Sequence, residues 1–173
     1  IVGDVSASIG KTNPGLRDLK VTLTDVRVGE LAPLVAMVGL PIGGRLSGEV
    51  ELAVPDGAVN QSEGQVRLTV AALTVGNGQA QYQIPHFGGV TVEQIRAGDL
   101  AFNVNIRRGA AVLDRVGAHS AEFDLQMDGR IDMRPNFGES PMNLGVRFRL
   151  TDVYRNKSEQ AGRILSVMDM APD

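Results

Sequence analysis

The sequence predicts a mainly β protein, a curved antiparallel meander sheet with two short peripheral helices. Three observations lead there. Apolar residues alternate with polar ones at period two in one segment after another. Glycine and asparagine fall between those segments, where hairpins need residues that tolerate positive φ. Only two stretches carry the start and stop signals of a helix. The alternation is one-sided, which favours antiparallel strands, since parallel strands covered on both faces read as unbroken apolar runs.

In chain order, Val21–Val28 is a strand with irregular alternation, and Glu30–Val38 is a short helix with Pro33 in its first turn and Gly39 just past its end. Arg45–Val54 sets Leu46, Val50, Leu52 and Val54 on one side with Gly48, against Arg45, Ser47, Glu49 and Glu51. Gln65–Thr74 repeats the pattern with Val66, Leu68 and Val70, and Leu100–Ile106 with Leu100, Phe102, Val104 and Ile106. Ala110–Val116 alternates less regularly. Ala121–Met133 opposes Phe123, Leu125, Met127, Ile131 and Met133 to Glu122, Asp124, Gln126, Asp128, Arg130 and Asp132, so the even-numbered face is expected to be solvated and Phe123, Leu125 and Met127 to be buried. Leu144, Val146, Phe148 and Leu150 form a last strand, and Ser158–Met170 a second helix capped by Ser158.

Gly57, Gly76-Asn77-Gly78 and Arg108-Gly109 are expected to reverse the chain. Gly48 and Gly129 instead interrupt apolar rows, which implies a bulge, a bend or a close backbone approach there. The segments Gly48–Val54 and Gly64–Val70 share one form, as an internal duplication would, but so do the strands of any antiparallel meander. The expected organisation is one domain, residues 1–173. At this length a chain buries roughly 70% of its unfolded surface, enough for a core without disulfides or a structural metal.

Composition removes several classes of function. With no Cys there is no thiol nucleophile, zinc finger or iron–sulfur ligand set. Lys and Arg total 17 against 20 acids, leaving no positive field to attract phosphates, so no nucleic-acid partner is expected. The longest apolar run, Leu31 to Val38, contains Pro33 and falls far short of the roughly 20 residues of a membrane-spanning helix. Because the chain opens on Ile1, it is expected to be a piece of a longer protein, with any membrane attachment through an anchor outside it.

Chemical motifs are sparse. His119 and Ser120 are adjacent, and adjacent strand residues point to opposite faces, so a Ser–His–Asp arrangement is not expected. The acidic ladder Glu122, Asp124, Asp128 and Asp132 spreads its oxygens along a strand, where calcium would need six to eight converging. Gly43-Gly44-Arg45-Leu46-Ser47-Gly48 lacks the Gly-Lys-Ser/Thr of a phosphate loop and precedes a strand. Asn60-Gln61-Ser62 and Asn156-Lys157-Ser158 match the N-glycan acceptor pattern, and neither is expected to be modified. No catalytic residue, metal or cofactor is expected. The one candidate contact site is the Pro85-His86-Phe87 loop, next to Gly88-Gly89, where Phe87 either anchors a partner or plugs the end of the core. Several aliphatic strand rows with two short helices to cover them leave two outcomes: the sheet curls on itself, or part of its face stays open as a groove.

From Leu40-Pro41-Ile42-Gly43-Gly44-Arg45-Leu46-Ser47-Gly48-Glu49-Val50-Glu51-Leu52 onward, the sequence resembles type II secretion system protein N, the GspN-type accessory subunit of the bacterial machine that exports folded periplasmic proteins. The likeness continues through Glu63–Thr69, Leu73–Gly78, Ile84–Val92, Asp124–Ile131 and Val146–Asp152, so that roughly Leu31 to Met168 is covered. The resemblance implies a non-enzymatic periplasmic part of type II secretion, tethered to the inner membrane in the full-length protein and acting on other secretion subunits or secreted proteins. The same blocks are similar to AsmA-like and TamB-like envelope proteins, which implies a curved sheet with an apolar groove and, as the alternative function, lipid binding or transfer.

Overall fold

The computed structural model describes residues 3–13, 16–79, 81–84, 88–91 and 93–157. Ten strands follow one another as β1 (Asp4–Asn13), β2 (Leu16–Arg27), β3 (Ile42–Pro55), β4 (Glu63–Val75), β5 (Gln81–Ile84), β6 (Gly88–Thr91), β7 (Ile95–Arg107), β8 (Ala110–His119), β9 (Phe123–Asp132) and β10 (Met142–Leu150). Eight of them form one sheet in the order β1-β2-β3-β4-β7-β8-β9-β10, antiparallel throughout, and β5 pairs with β6 as a separate hairpin inserted between β4 and β7. The mainly β meander expected from the alternation is therefore the fold. Strands β1, β5 and β6 were not among the expected ones, and β7 begins five residues earlier than the alternation placed it, at Ile95 rather than Leu100.

Registered partners lie on the same face of a sheet, so the register converts single-strand alternation into rows. One row crosses all eight strands through Ile9, Leu19, Leu52, Gly64, Ile106, Ala111, Ile131 and Met142. A second does the same through Ala7, Val21, Val50, Val66, Val104, Leu113, Gly129 and Leu144. A third joins Val26, Leu46, Val70, Leu100, Ala118, Leu125 and Phe148. The opposite face is polar and carries cross-strand ion pairs, among them Lys20 with Glu51 at 2.8 Å and Arg45 with Asp25.

The apolar face is buried most deeply in two places, on β7 and β8 and at one end of β2 and β3. Val104, Ile106, Ala111, Leu113 and Val116 form one core cluster, with Leu52, Val66, Met127 and Ile131 packed against it. Val26, Val28, Ile42 and Leu46 form a second, covered by Leu31 and Val35. Helix α1 (Ala32–Val38) supplies Val35 and stops at Gly39, whose left-handed φ of 71° lets its N–H donate to the Val35 carbonyl. The helix expected over Glu30–Val38 is thus divided: Val28–Glu30 is a 3-10 turn, and Leu31, with ψ of 84°, separates it from α1. A further short helix, α2 (Asp152–Lys157), follows β10. The helix expected over Ser158–Met170 lies outside the described residues.

Curvature has visible causes. Register shifts interrupt the pairing between Leu23 and Val26, Gly43 and Arg45, Val70 and Leu73, Ala101 and Val104, and Leu113 and Val116. Each such bulge bends its strand and adds local twist. Asp25 and Ala72 sit in two of them with φ of 57° and 50°. Gly48 and Gly129, flagged by their place in the apolar rows, have φ of 141° and 147°, and a Cβ on either would lie 2.1 Å from the Arg67 carbonyl oxygen or 2.2 Å from that of Asn143. The neighbouring strand approaches closely because no side chain is there. Of the expected reversals, Asp56-Gly57 leads out of β3 and Arg108-Gly109 joins β7 to β8, all four residues with positive φ. Gly76-Asn77-Gly78 leads into the inserted hairpin rather than directly into the next strand of the sheet.

These contacts separate two costs of adding a methyl group. Gly57→Ala meets nothing within 4 Å and suffers from its positive φ alone, so it should lose about 1–2 kcal/mol. Gly48→Ala adds a collision with a fixed backbone and should lose more than about 3 kcal/mol. Chemical denaturation of both variants checks this ordering, and equal losses would show that the close approach at Gly48 relaxes freely.

Candidate interaction surface

Polar and irregular features gather at one end of the sheet. There the chain leaves β2 for α1, leaves β4 for the inserted hairpin, turns at 120–122 and runs from β10 into α2. Glu122 lies at the centre of the junction. It is 8% exposed, and its carboxylate accepts from the Arg96 N–H at 2.8 Å and from Lys157 Nζ at 3.2 and 3.4 Å. Ser120 Oγ donates to the Arg96 carbonyl at 2.6 Å and accepts from the N–H groups of Glu122 and Phe123. Thr151 N–H donates to the Glu122 carbonyl, Tyr154 Oη to the Glu93 carbonyl at 2.9 Å, and Lys157 Nζ to the Gln94 carbonyl at 2.8 Å. Short helix α2 is thereby fastened to the start of β7 and to the 120–122 turn, with Tyr154 only 2% exposed.

This corrects the expectation that Glu122 belongs to a solvated face. Alternation applies only within the strand, and β9 begins at Phe123; Glu122 is in the preceding turn, which aims its side chain inward. Burial alone would raise its pKa, but the Arg96 amide and the Lys157 ammonium outweigh it and hold the carboxyl below its usual range. The remaining ladder does stand on the polar face, tied to the arginines of β10. Arg149 donates to Asp124 at 2.6 Å, Arg147 lies 3.6 Å from Asp128, and Arg130 pairs with Asp132 on its own strand. His119 Nδ1 contacts the same Asp124 carboxylate. Arg149, with His119, keeps that carboxyl below the usual range. Ser120 Oγ is committed to the turn. Among the described residues, no group of three or more His, Cys, Asp or Glu is placed to hold a metal ion.

The apolar rows thin out toward both edges. Phe123, Leu125 and Met127, expected to be buried, are half-buried because β9 has only β10 beyond it and the described elements put no second layer over them. Beyond β9, the row residues of β10 are open: Met142 is 52% exposed, Val146 53% and Phe148 66%, with Phe148 stacked on Phe123 at 6.4 Å between ring centroids. At the other edge, Val5 and Ile9 of β1 are 60% and 77% exposed. Single exposed aliphatics are ordinary, whereas here exposed apolar side chains are aligned along both edge strands. The sequence placed the contact at Pro85, His86 and Phe87, which lie outside the described residues; β5 and β6 on either side of them pair with Ile84 opposite Gly88. The edge surface escaped the sequence because strand order decides which apolar rows go uncovered.

No family model matches the chain, and comparison with curated proteins and with solved structures returns no match.

The Glu122 contacts imply a signed pH dependence. A carboxyl with a depressed folded pKa stabilises above its unfolded pKa, near 4.5, and loses that contribution as pH falls through the folded value. Glu122→Gln should therefore be about 1–3 kcal/mol less stable than the parent at neutral pH, with the gap closing below about pH 4.5. Urea midpoints across that range test it; a gap independent of pH would mean the charge contributes nothing.

Proposed function

We propose that this chain is a non-enzymatic component of a bacterial type II secretion system, acting in the periplasm through protein–protein contacts. The observation that carries the reading is the edge strand β10, where exposed Met142, Val146 and Phe148 stand on one face and Arg147 and Arg149 on the other. An unpaired strand offers backbone N–H and C=O groups to an incoming strand, while alternate side chains supply specificity. The likeness of the blocks between Leu31 and Met168 to type II secretion protein N gives the setting in which such a surface would meet other secretion subunits or secreted proteins. The alternative, an AsmA-like or TamB-like lipid-binding module, is favoured by a different observation: the apolar rows cross a curved sheet without a charged residue in them.

A pull-down from envelope membranes with the full-length protein, scored for proteins and for acyl chains by mass spectrometry, separates the two. Under the secretion reading, Val146→Glu with Phe148→Glu abolishes recovery of secretion subunits while shifting the melting temperature little, because both side chains are more than half exposed. Acyl chains at stoichiometric levels, with no secretion subunit recovered, would replace this reading with the lipid one.

A further inference from the structure

The two edges of the sheet are complementary to each other, and we infer that copies of this chain associate side by side, β10 of one pairing antiparallel with β1 of the next. Three independent features of the edges are met together when Ile9 stands opposite Met142. The first is direction. The eight-stranded meander contains an even number of antiparallel strands, so β1 and β10 run in opposite directions. A second copy set beside the first with its apolar face on the same side presents its β1 antiparallel to β10.

The second is hydrogen-bonding parity. The Pro141 carbonyl accepts from the Asp132 N–H and the Thr151 N–H donates to the Glu122 carbonyl, so odd-numbered residues of β10 face β9, and Met142, Leu144 and Val146 turn their backbone groups outward. Along a row of registered partners, bonded and non-bonded pairs alternate from one strand pair to the next. Counting through the seven pairs of the row from Met142 to Ile9 leaves Ile9 outward as well, and with it Ala7 and Val5. The free donors and acceptors of both edges therefore belong to the residues of the apolar face. Had the parity differed, apolar continuity and hydrogen bonding would have required different registers.

The third is side-chain chemistry. Placing Ile9 opposite Met142 continues one apolar row into the next copy. The same register puts Ala7 opposite Leu144, Val5 opposite Val146, and, on the polar face, Asp4 opposite Arg147. Ile9, Val5, Val146 and Met142, each more than half exposed, are covered, while Phe148, at 66%, lies opposite the chain just outside β1. Arg147, 75% exposed and 3.6 Å from Asp128, gains a second carboxylate. Contact of this kind uses different surfaces on its two sides, so it propagates into an open row or a closed ring rather than stopping at a dimer.

The absence of cysteine makes the register directly testable. Ser8 and Asn143 would face each other as a non-hydrogen-bonded pair, with Cα atoms about 4.5 Å apart, within disulfide reach. An equimolar mixture of Ser8→Cys and Asn143→Cys chains, oxidised after circular dichroism has confirmed folding, should give a covalent dimer containing one of each. Either variant alone should stay monomeric on a denaturing gel, and Gly145→Cys in place of Asn143→Cys should lose the cross-link. In sedimentation equilibrium the parent chain should associate with increasing concentration. Asp4→Lys or Arg147→Asp should weaken that association about five-fold, and the double variant should restore it. A chain that stays monomeric at every concentration, cross-linking of one variant with itself, or no cross-link in the mixture would each overturn the inference. Both readings place a strand on the β10 edge, so self-association is read on the purified chain alone, and Asp4→Lys on β1, away from that edge, separates loss of self-pairing from loss of a secretion partner.

Discussion

A sheet with one apolar face has to keep water off that face, and beside the eight-stranded sheet the described elements are only the small β5–β6 sheet and short helices. Local irregularities of the sheet matter for that reason. Bulges on β2, β4 and β8, where the extra residue sits, and the close strand approaches at Gly48 and Gly129 add local bend and twist to the sheet. Burial is deepest on β8, where Val116 is 1% and Leu113 5% exposed, and at the end of β2, where Val26 is 8% exposed, whereas β4 in the centre has no buried residue. Large apolar side chains are most exposed on β1 and β10, where neighbours are missing on one side. The exposed rows at the edges are thus the margin of the same sheet that builds the core.

The polar junction answers a second difficulty. Three connections and α2 meet at one end of the sheet, bringing backbone groups that no strand partner satisfies. Glu122, Ser120, Thr151 and Lys157 satisfy several of these, and Glu122 does so as a nearly buried charge held by a backbone amide and an ammonium. Removing one partner of such a group leaves the other desolvated, so the cluster behaves as a unit. On the open polar face, by contrast, the pairs between β9 and β10 are solvent-exposed on at least one side and fix register more than they stabilise.

The alternation made most of the long strands legible, and the places where it failed have one physical cause. A bulge adds a residue and switches which parity points inward. In β2 the inward positions pass from half-buried Leu19 and Leu23 to buried Val26, across Asp25. In β8 they pass from Ala111 and Leu113 to Val116 and Ala118. Read as single strands, Val21–Val28 and Ala110–Val116 therefore look irregular, although both are well-paired parts of the sheet. Strand β1 alternates Val5, Ala7 and Ile9 against Asp4, Ser6 and Ser8, but small residues and a central Gly10 make that signal faint. Glu122 was misplaced because a strand pattern was extended one residue into a turn. The exposed apolar edges were illegible for a different reason, since they depend on which strands are last in the sheet, a property of topology rather than of any segment.

The hairpin inserted between β4 and β7 has a consequence for how the chain folds. The other neighbouring strands are joined by shorter links, as short as two residues at Arg108-Gly109, whereas 19 residues separate Val75 from Ile95. Bringing β4 and β7 together from an open chain costs about 2 kcal/mol more loop entropy than closing a two-residue link, in the limit of flexible loops. That one pairing divides the meander into two local halves, β1 to β4 and β7 to β10, each able to assemble from contacts near in sequence. Pairing β5 with β6 first draws the ends of the long connection together, and so shortens the loop that the halves must close. A small hairpin outside the main sheet thereby acts on the order of assembly, a role that its size and its place in the finished fold do not suggest.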